Sequence, residues 1–260
     1  MYGVTRSETK AKQLAANEGR FLLSLVAQVK CIHLSFSSVF PIVGGPTNTH
    51  VWAHLIPTVD VVIEVLGGGP DRPALAHAVL DAIATVAQST RPSGSPKLSY
   101  IFTSDPWVHG ASADEFVSDT TPLLNPLPPA VWRAKFEQSL FKDDRVNGIV
   151  IRAALLYGKS GSLLAPVFEA AATGGEVGWY GKPGGWFTLA HTDDLADLYL
   201  RAAEKAPILG GLAIEGCNDT AESVEGFLQK LIQVSGAKGP YKLLEPSNRA
   251  LYAIPEDPRL

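Results

Sequence analysis

The stretch KLSYIFTSDPWVHG, residues 97–110, begins with a continuous apolar and aromatic run over Leu98–Ser104 and breaks at Asp105 and Pro106. A short run without polar alternation is the pattern of a strand buried on both faces, as in a parallel sheet. Two later stretches extend the theme. IVIRAALLYGKSG, residues 149–161, is a second buried strand that ends at a Tyr-Gly turn. LAHTDDLADLYLRAAE, residues 189–204, passes from strand into an amphipathic helix, with Asp193 and Asp194 at the end that favours negative charge.

Upstream, the pattern alternates between strand and helix. Residues 2–6 read as a strand and 7–19 as a helix, with Ser7 able to cap it and Gly19 to end it. Residues 41–45 read as a strand, 49–56 as a short helix and 59–68 as a buried strand ending in glycines. The helix over 72–89 places Leu75, Ala76, Val79, Leu80, Ile83, Val86 and Ala87 on one stripe, as a crossover helix on a sheet requires. A helix over 131–141 precedes the 148–156 strand. This alternation predicts an α/β fold with a doubly wound parallel sheet. From residue 159 the composition turns to Gly and aromatics, and TGGEVGWYGKPGGWF at 173–187 reads as a loop-rich lid or small substrate lobe.

The chain has 260 residues, 46% of them hydrophobic and 18% charged, enough to bury one large α/β domain. A net charge of -4 with scattered Lys and Arg excludes a nucleic-acid footprint. Cys31 and Cys217 are far apart and form neither a disulfide framework nor a zinc motif, so a reducing, cytoplasmic setting is expected and no metal. The apolar run from Phe21 to Phe40 has the length of a membrane span, but Lys30 and His33 at its centre make spanning costly, so no membrane partner is expected.

The three stretches quoted above resemble the back half of an extended short-chain dehydrogenase/reductase of the NAD-dependent epimerase/dehydratase type. TSDPWVHG is similar to that family's T-S-x-x-V-Y-G pattern, IRAALLYG to its R-P-x-x-V-Y-G segment, and HTDDLAD to its V-x-V-x-D-L-A marker. The resemblance implies a Rossmann-like domain over residues 1–158 and 187–206, with 20–40 as an atypical apolar insertion. Residues 159–186 and 207–260 would form the small substrate lobe. It further implies an NADP or NAD cofactor, a small carbonyl or sugar-like substrate and room for a homodimer.

Carried over residue by residue, Ser104 would hydrogen-bond a substrate oxygen, Tyr157 would wall the site, and His191 would face substrate or support the following helix. At the adenosine end, with Ser7 beside it, Arg6 would stack on adenine or pair with a 2′-phosphate, which favours NADP, although an ordinary exposed arginine in a helix-entry turn would also explain it; Gly67 and Gly68 would let the backbone approach the ligand. The family's catalytic Y-x-x-x-K has no counterpart: one register puts Arg133 at the lysine and Pro129 at the tyrosine, the other Lys135 and Val131. Without a phenol the usual proton exchange is missing. Arg133 enters the site in the first register, although an ordinary i,i+4 pair with Glu137 would also explain it.

The sequence also lacks the first strand and glycine loop of the fold, opening at the family's second strand. Either the 21–40 run substitutes for the missing strand or the sequence is that of a truncated product. Two readings of function remain: an epimerase/dehydratase-type NAD(P) protein acting on a small metabolite, and a non-catalytic dinucleotide- or metabolite-binding protein or nonfunctional isoform.

Overall fold

The structure is a computed structural model and describes residues 2–9, 11–12, 25–26, 40–66, 71–110, 116–159, 162–181 and 183–244. In chain order its elements are β1 (Tyr2–Thr5), β2 (Leu25–Val26), β3 (Phe40–Val43), β4 (Val61–Glu64), α1 (Arg72–Thr90), β5 (Ser99–Ser104), α2 (Val131–Lys142) and β6 (Asn147–Ala153). There follow β7 (Leu155–Tyr157), α3 (Ala165–Ala172), β8 (Glu176–Tyr180), β9 (Trp186–His191), α4 (Thr192–Glu204), β10 (Ala213–Gly216), β11 (Ala221–Ser223), α5 (Val224–Ser235) and β12 (Lys238–Leu244). The main sheet is wholly parallel, in the order β10-β6-β5-β4.

Continuous apolar runs make these strands, because both sheet faces are covered. On one face Val62, Tyr100, Phe102 and Val150 pack with Val79 and Ile83 of α1 and Phe136 and Leu140 of α2. On the other, Val61, Ile63, Ile101, Ile149 and Ile151 pack with Leu195, Tyr199 and Ala202 of α4. The expected stripe on α1 holds: Ala76, Val79, Leu80, Ile83 and Ala87 are buried, with Leu75 and Val86 half-buried against the same core. Asp71 starts that helix by accepting a hydrogen bond from the Ala74 amide at 3.0 Å.

A second sheet, order β2-β1-β3, pairs β1 with β3 in parallel and with β2 antiparallel. Val4 shares the first core with Trp52, Ile56 and Val62, so this sheet is packed to the main one. Cα atoms of β2 come within 8 Å of those of β4, yet no ladder joins the two sheets. Of the apolar run, Leu25–Val26 thus lie beside β1 on the side of β4, running antiparallel to β1. The rest of the supposed 20–40 insertion, apart from Phe40 in β3, lies outside the described residues.

The remaining elements form two small sheets, β11-β9-β7 and β12-β8, around Leu164, Val167, Val177, Phe187, Leu189, Val224 and Leu228. Two expectations shift here. The stretch read as loop at 173–187 contains β8 and the start of β9, because Val177 and Phe187 supply buried side chains that anchor strands. Residues 213–216, placed in the lobe by sequence, form β10 at the edge of the main sheet, where Ile214 packs against the second core. Among the described residues no helix is long and apolar enough to cross a membrane.

Phe136 is fully buried with its ring 4.5 Å from that of Phe102. Replacing it with Ala removes the main contact of α2 with the sheet and should cost about 3–5 kcal/mol, read as a lower urea midpoint at unchanged slope.

Candidate functional site

Parallel strands direct register partners to the same face, and the carboxyl edge of the main sheet carries a polar row built that way. Ser104 of β5 is the partner of Arg152 of β6, and Arg152 is the partner of Glu215 of β10. All three lie on the face covered by α2. Glu137, one turn into that helix beyond Arg133, points down at the row: its carboxylate takes bonds from Arg152 Nη2 at 2.8 Å and Nε at 3.2 Å. Arg152 Nη1 donates to Glu215 Oε1 at 2.9 Å, and His109 Nε2 lies 2.8 Å from the same oxygen.

Arg152 is 4% exposed and Glu137 1%. Burial opposes the arginine's charge, but the hydrogen bonds it donates to Glu137 and Glu215 outweigh it and hold the guanidinium more basic than usual. Burial also works against the Glu215 charge, and the bonds from His109 and Arg152 reverse it, keeping the carboxyl below its ordinary range. Beside this network a cleft of about 370 Å³ opens, lined by Pro106, Asp119, Arg152, Thr188, Glu215 and Cys217 among others.

Ser104 sits at the end of β5, 2% exposed, and its Oγ has no hydrogen-bond partner. Arg133 stands over the same strand end. Its Nη1 donates to the Thr103 carbonyl at 2.8 Å, its Nε pairs with Asp105 at 2.8 Å, and its guanidinium stacks 4.6 Å from the Trp132 ring centre. The i,i+4 pair with Glu137 suggested by spacing does not form, because Glu137 faces the sheet and belongs to Arg152. Burial lowers the basicity of Arg133 and raises the Asp105 carboxyl, each partly offset by the other's charge.

Tyr157 and His191 come together elsewhere, as register partners of β7 and β9 in the small sheet. Their rings meet edge to face at 5.1 Å. His191 caps α4, its Nδ1 accepting from the Asp193 amide at 3.2 Å, and it is thus the helix support that its position before the helix suggested. The Tyr-Gly turn follows from this contact: Gly158 has φ +84°, and a Cβ there would strike the His191 ring. Ser104 and Arg133 therefore belong to the main sheet's edge, and Tyr157 and His191 to the adjoining lobe.

Glu64, which sequence reading passed over inside an apolar strand, ends β4 at 2% exposure. Its Oε1 accepts from the Leu66 amide at 2.6 Å and its Oε2 has no partner. Burial pushes its pKa up to about 7, against the pull of that amide and of Arg133. The one available signal was a carboxylate within VVIEVL, residues 61–66. Glu215 and His109 carried no local signal, since their meeting depends on β10 returning to β6.

A dinucleotide needs backbone amides for its pyrophosphate, normally from the turn after the first strand. On the edge of β1 toward β4 the described residues present antiparallel β2 and no such turn. Arg6 follows β1 with an exposed side chain and Ser7 comes next, while Ser104 ends β5 in the main sheet. Gly67 and Gly68 lie outside the described residues.

Two predictions follow from the buried charges. Arg152→Met leaves Glu137 buried without a cation and should cost about 3–5 kcal/mol in urea unfolding, most of it recovered when Glu137→Leu is added. For Glu64 the folded pKa lies above the unfolded one, so the native state holds the proton more tightly. Its contribution is complete below about pH 4.5 and is lost as the pH rises through about 7. A shift of this size is worth about 3 kcal/mol, and Glu64→Gln should remove that slope from the pH dependence of unfolding.

No protein-family model matches the sequence, and no curated protein does. The fold does match solved structures. A dTDP-glucose 4,6-dehydratase of Bacillus anthracis in complex with NAD aligns at TM-score 0.69 and 14% identity, over 81% of this chain and 69% of that one. A UDP-glucuronic acid 4-epimerase of Bacillus cereus in complex with NAD aligns at 0.63 and 16%, over 80% and 70%. A protein of unknown function from Silicibacter pomeroyi aligns at 0.64 and 19%, over 97% and 78%. With the parallel sheet, its crossover helices and the adjoining lobe in place, the chain has a Rossmann-like α/β fold similar to that of these dehydratase and epimerase structures.

Proposed function

We propose that the protein binds a small carbonyl or sugar-like metabolite at the carboxyl edge of its main sheet. NADP or NAD would be held at its adenosine end by Arg6 and Ser7. The observation that carries this reading is Ser104: a hydroxyl at the end of a buried parallel strand, itself buried, with no partner among the described residues. Ligands of open α/β sheets bind outside the carboxyl ends of the strands, and a buried donor without a partner is costly unless a ligand or water takes it. The likeness to structures containing NAD supports the dinucleotide part.

Arg133 favours the non-catalytic form of this reading. In the first register it occupies the place of the family's lysine, but its guanidinium is committed to Asp105 and the Thr103 carbonyl, and no phenol precedes it on α2. The residues at this edge are arranged to hold and orient a ligand oxygen. A redox step would need a proton donor other than the family's tyrosine.

Thermal unfolding of the full chain with millimolar NADP or NAD tests the dinucleotide part, since binding to the native state alone raises stability by about 2.7 kcal/mol at one hundred times Kd. The expected result is a higher Tm with NADP than with NAD, and a smaller NADP shift in Arg6→Ala. An unchanged Tm with both nucleotides contradicts it. Consumption of NADPH with a carbonyl compound would establish the enzyme over the binder.

A further inference from the structure

We propose that Glu64 is a ligand-binding residue of the carboxyl edge, presenting Oε2 beside the Ser104 hydroxyl to one oxygen of a small carbonyl or hydroxyl compound. The inference rests on the reading above that this edge is the metabolite site, and adds to it a residue that no motif marks.

Placement comes first. Glu64 is the last residue of β4 and the register partner of Phe102, so it shares the α2-covered face with Tyr100 and Ser104, one diagonal step away on β5. All four residues of β4 are buried. A carboxyl in such a strand is costly unless its oxygens are satisfied. Oε1 is satisfied by the Leu66 amide, and Oε2 is not. No ion pair reaches it, because Arg133 is taken by Asp105. The Ser104 and Tyr100 hydroxyls on the same patch also lack partners. Three unsatisfied polar atoms on adjacent strands would be a poor way to build a core, since buried polar groups are nearly always paired. They suit an edge that receives a ligand's oxygen.

The chemistry follows from the proton. Burial raises the Glu64 pKa to about 7. The groups that bear on it are Arg133 of α2, which lowers it, and the tyrosines Tyr100 of β5 and Tyr199 of α4, both of which burial keeps neutral. Below that pH, Oε2 carries a proton and donates it in a hydrogen bond, with Ser104 as a second donor to the same oxygen. Above it, the carboxylate repels a carbonyl oxygen.

The test uses dihydroxyacetone as probe, with its affinity for the full chain measured by ligand-observed NMR on both sides of pH 7. For the wild type, affinity should fall about tenfold per pH unit above the Glu64 pKa. Glu64→Gln keeps a donor and cannot ionise, so it should bind without that slope. Glu64→Leu, close in size and better suited to a buried strand, should fold cooperatively and lose binding by tenfold or more. Wild-type affinity in Glu64→Leu, an unaltered slope in Glu64→Gln, or no dihydroxyacetone binding by the wild type would each overturn the proposal. Weakened binding in Ser104→Ala with unchanged binding in Glu64→Leu would overturn the role of Glu64 while leaving the edge as the site. Loss of the nucleotide effect on Tm would count against the dinucleotide separately.

Discussion

Arg152 ties this structure together. One guanidinium, buried in the middle strand of three, bonds Glu137 on the covering helix and Glu215 on the edge strand, while His109 joins from the turn after β5. A buried charge of this kind seldom adds net stability, since desolvation opposes the attraction. What it supplies is position: α2 cannot slide or rotate over the sheet without leaving a carboxylate uncompensated. The carboxyl ends of β5, β6 and β10 are thereby held in one row, with the unpartnered Ser104 hydroxyl at its inner end.

The other half of the molecule answers a different constraint. The main sheet ends at β4, and the parallel pair β1 and β3 stands apart from it, joined through the core of Trp52, Ile56 and Val62 rather than by a ladder. The antiparallel β2 takes the inner edge of β1, where the fold's glycine turn would otherwise meet a pyrophosphate. The proposed ligand site is therefore confined to the β4 and β5 ends. There Glu64 and Ser104 leave polar atoms unsatisfied.

Much of the fold was readable because buried parallel strands are continuous apolar runs and α1 shows its stripe. Ser104 was readable because it ends such a run. Tyr157 and His191 were readable as neighbours of turns, but their pairing across β7 and β9 was not. The error at Arg133 and Glu137 has a clear cause: spacing on a helix describes which side chains can meet locally, while the rotation of α2 against the sheet decides which do. Glu215 and His109 are more than one hundred residues apart, a separation that no local pattern encodes. Glu64 was concealed by its surroundings, since an apolar run reads as a strand whatever single polar residue it contains.

Hydrogen exchange on the full chain and on Arg152→Met tests most directly whether one buried cation holds three strand ends together. Beyond the uniform rise that lower global stability brings to every core amide, the account predicts an additional rise in exchange at the carboxyl ends of β5 and β10 as well as β6, reaching the turn around His109. An additional rise confined to β6 and α2 would contradict it, and would mean that the polar row is a consequence of the packed sheet and not what aligns its edge.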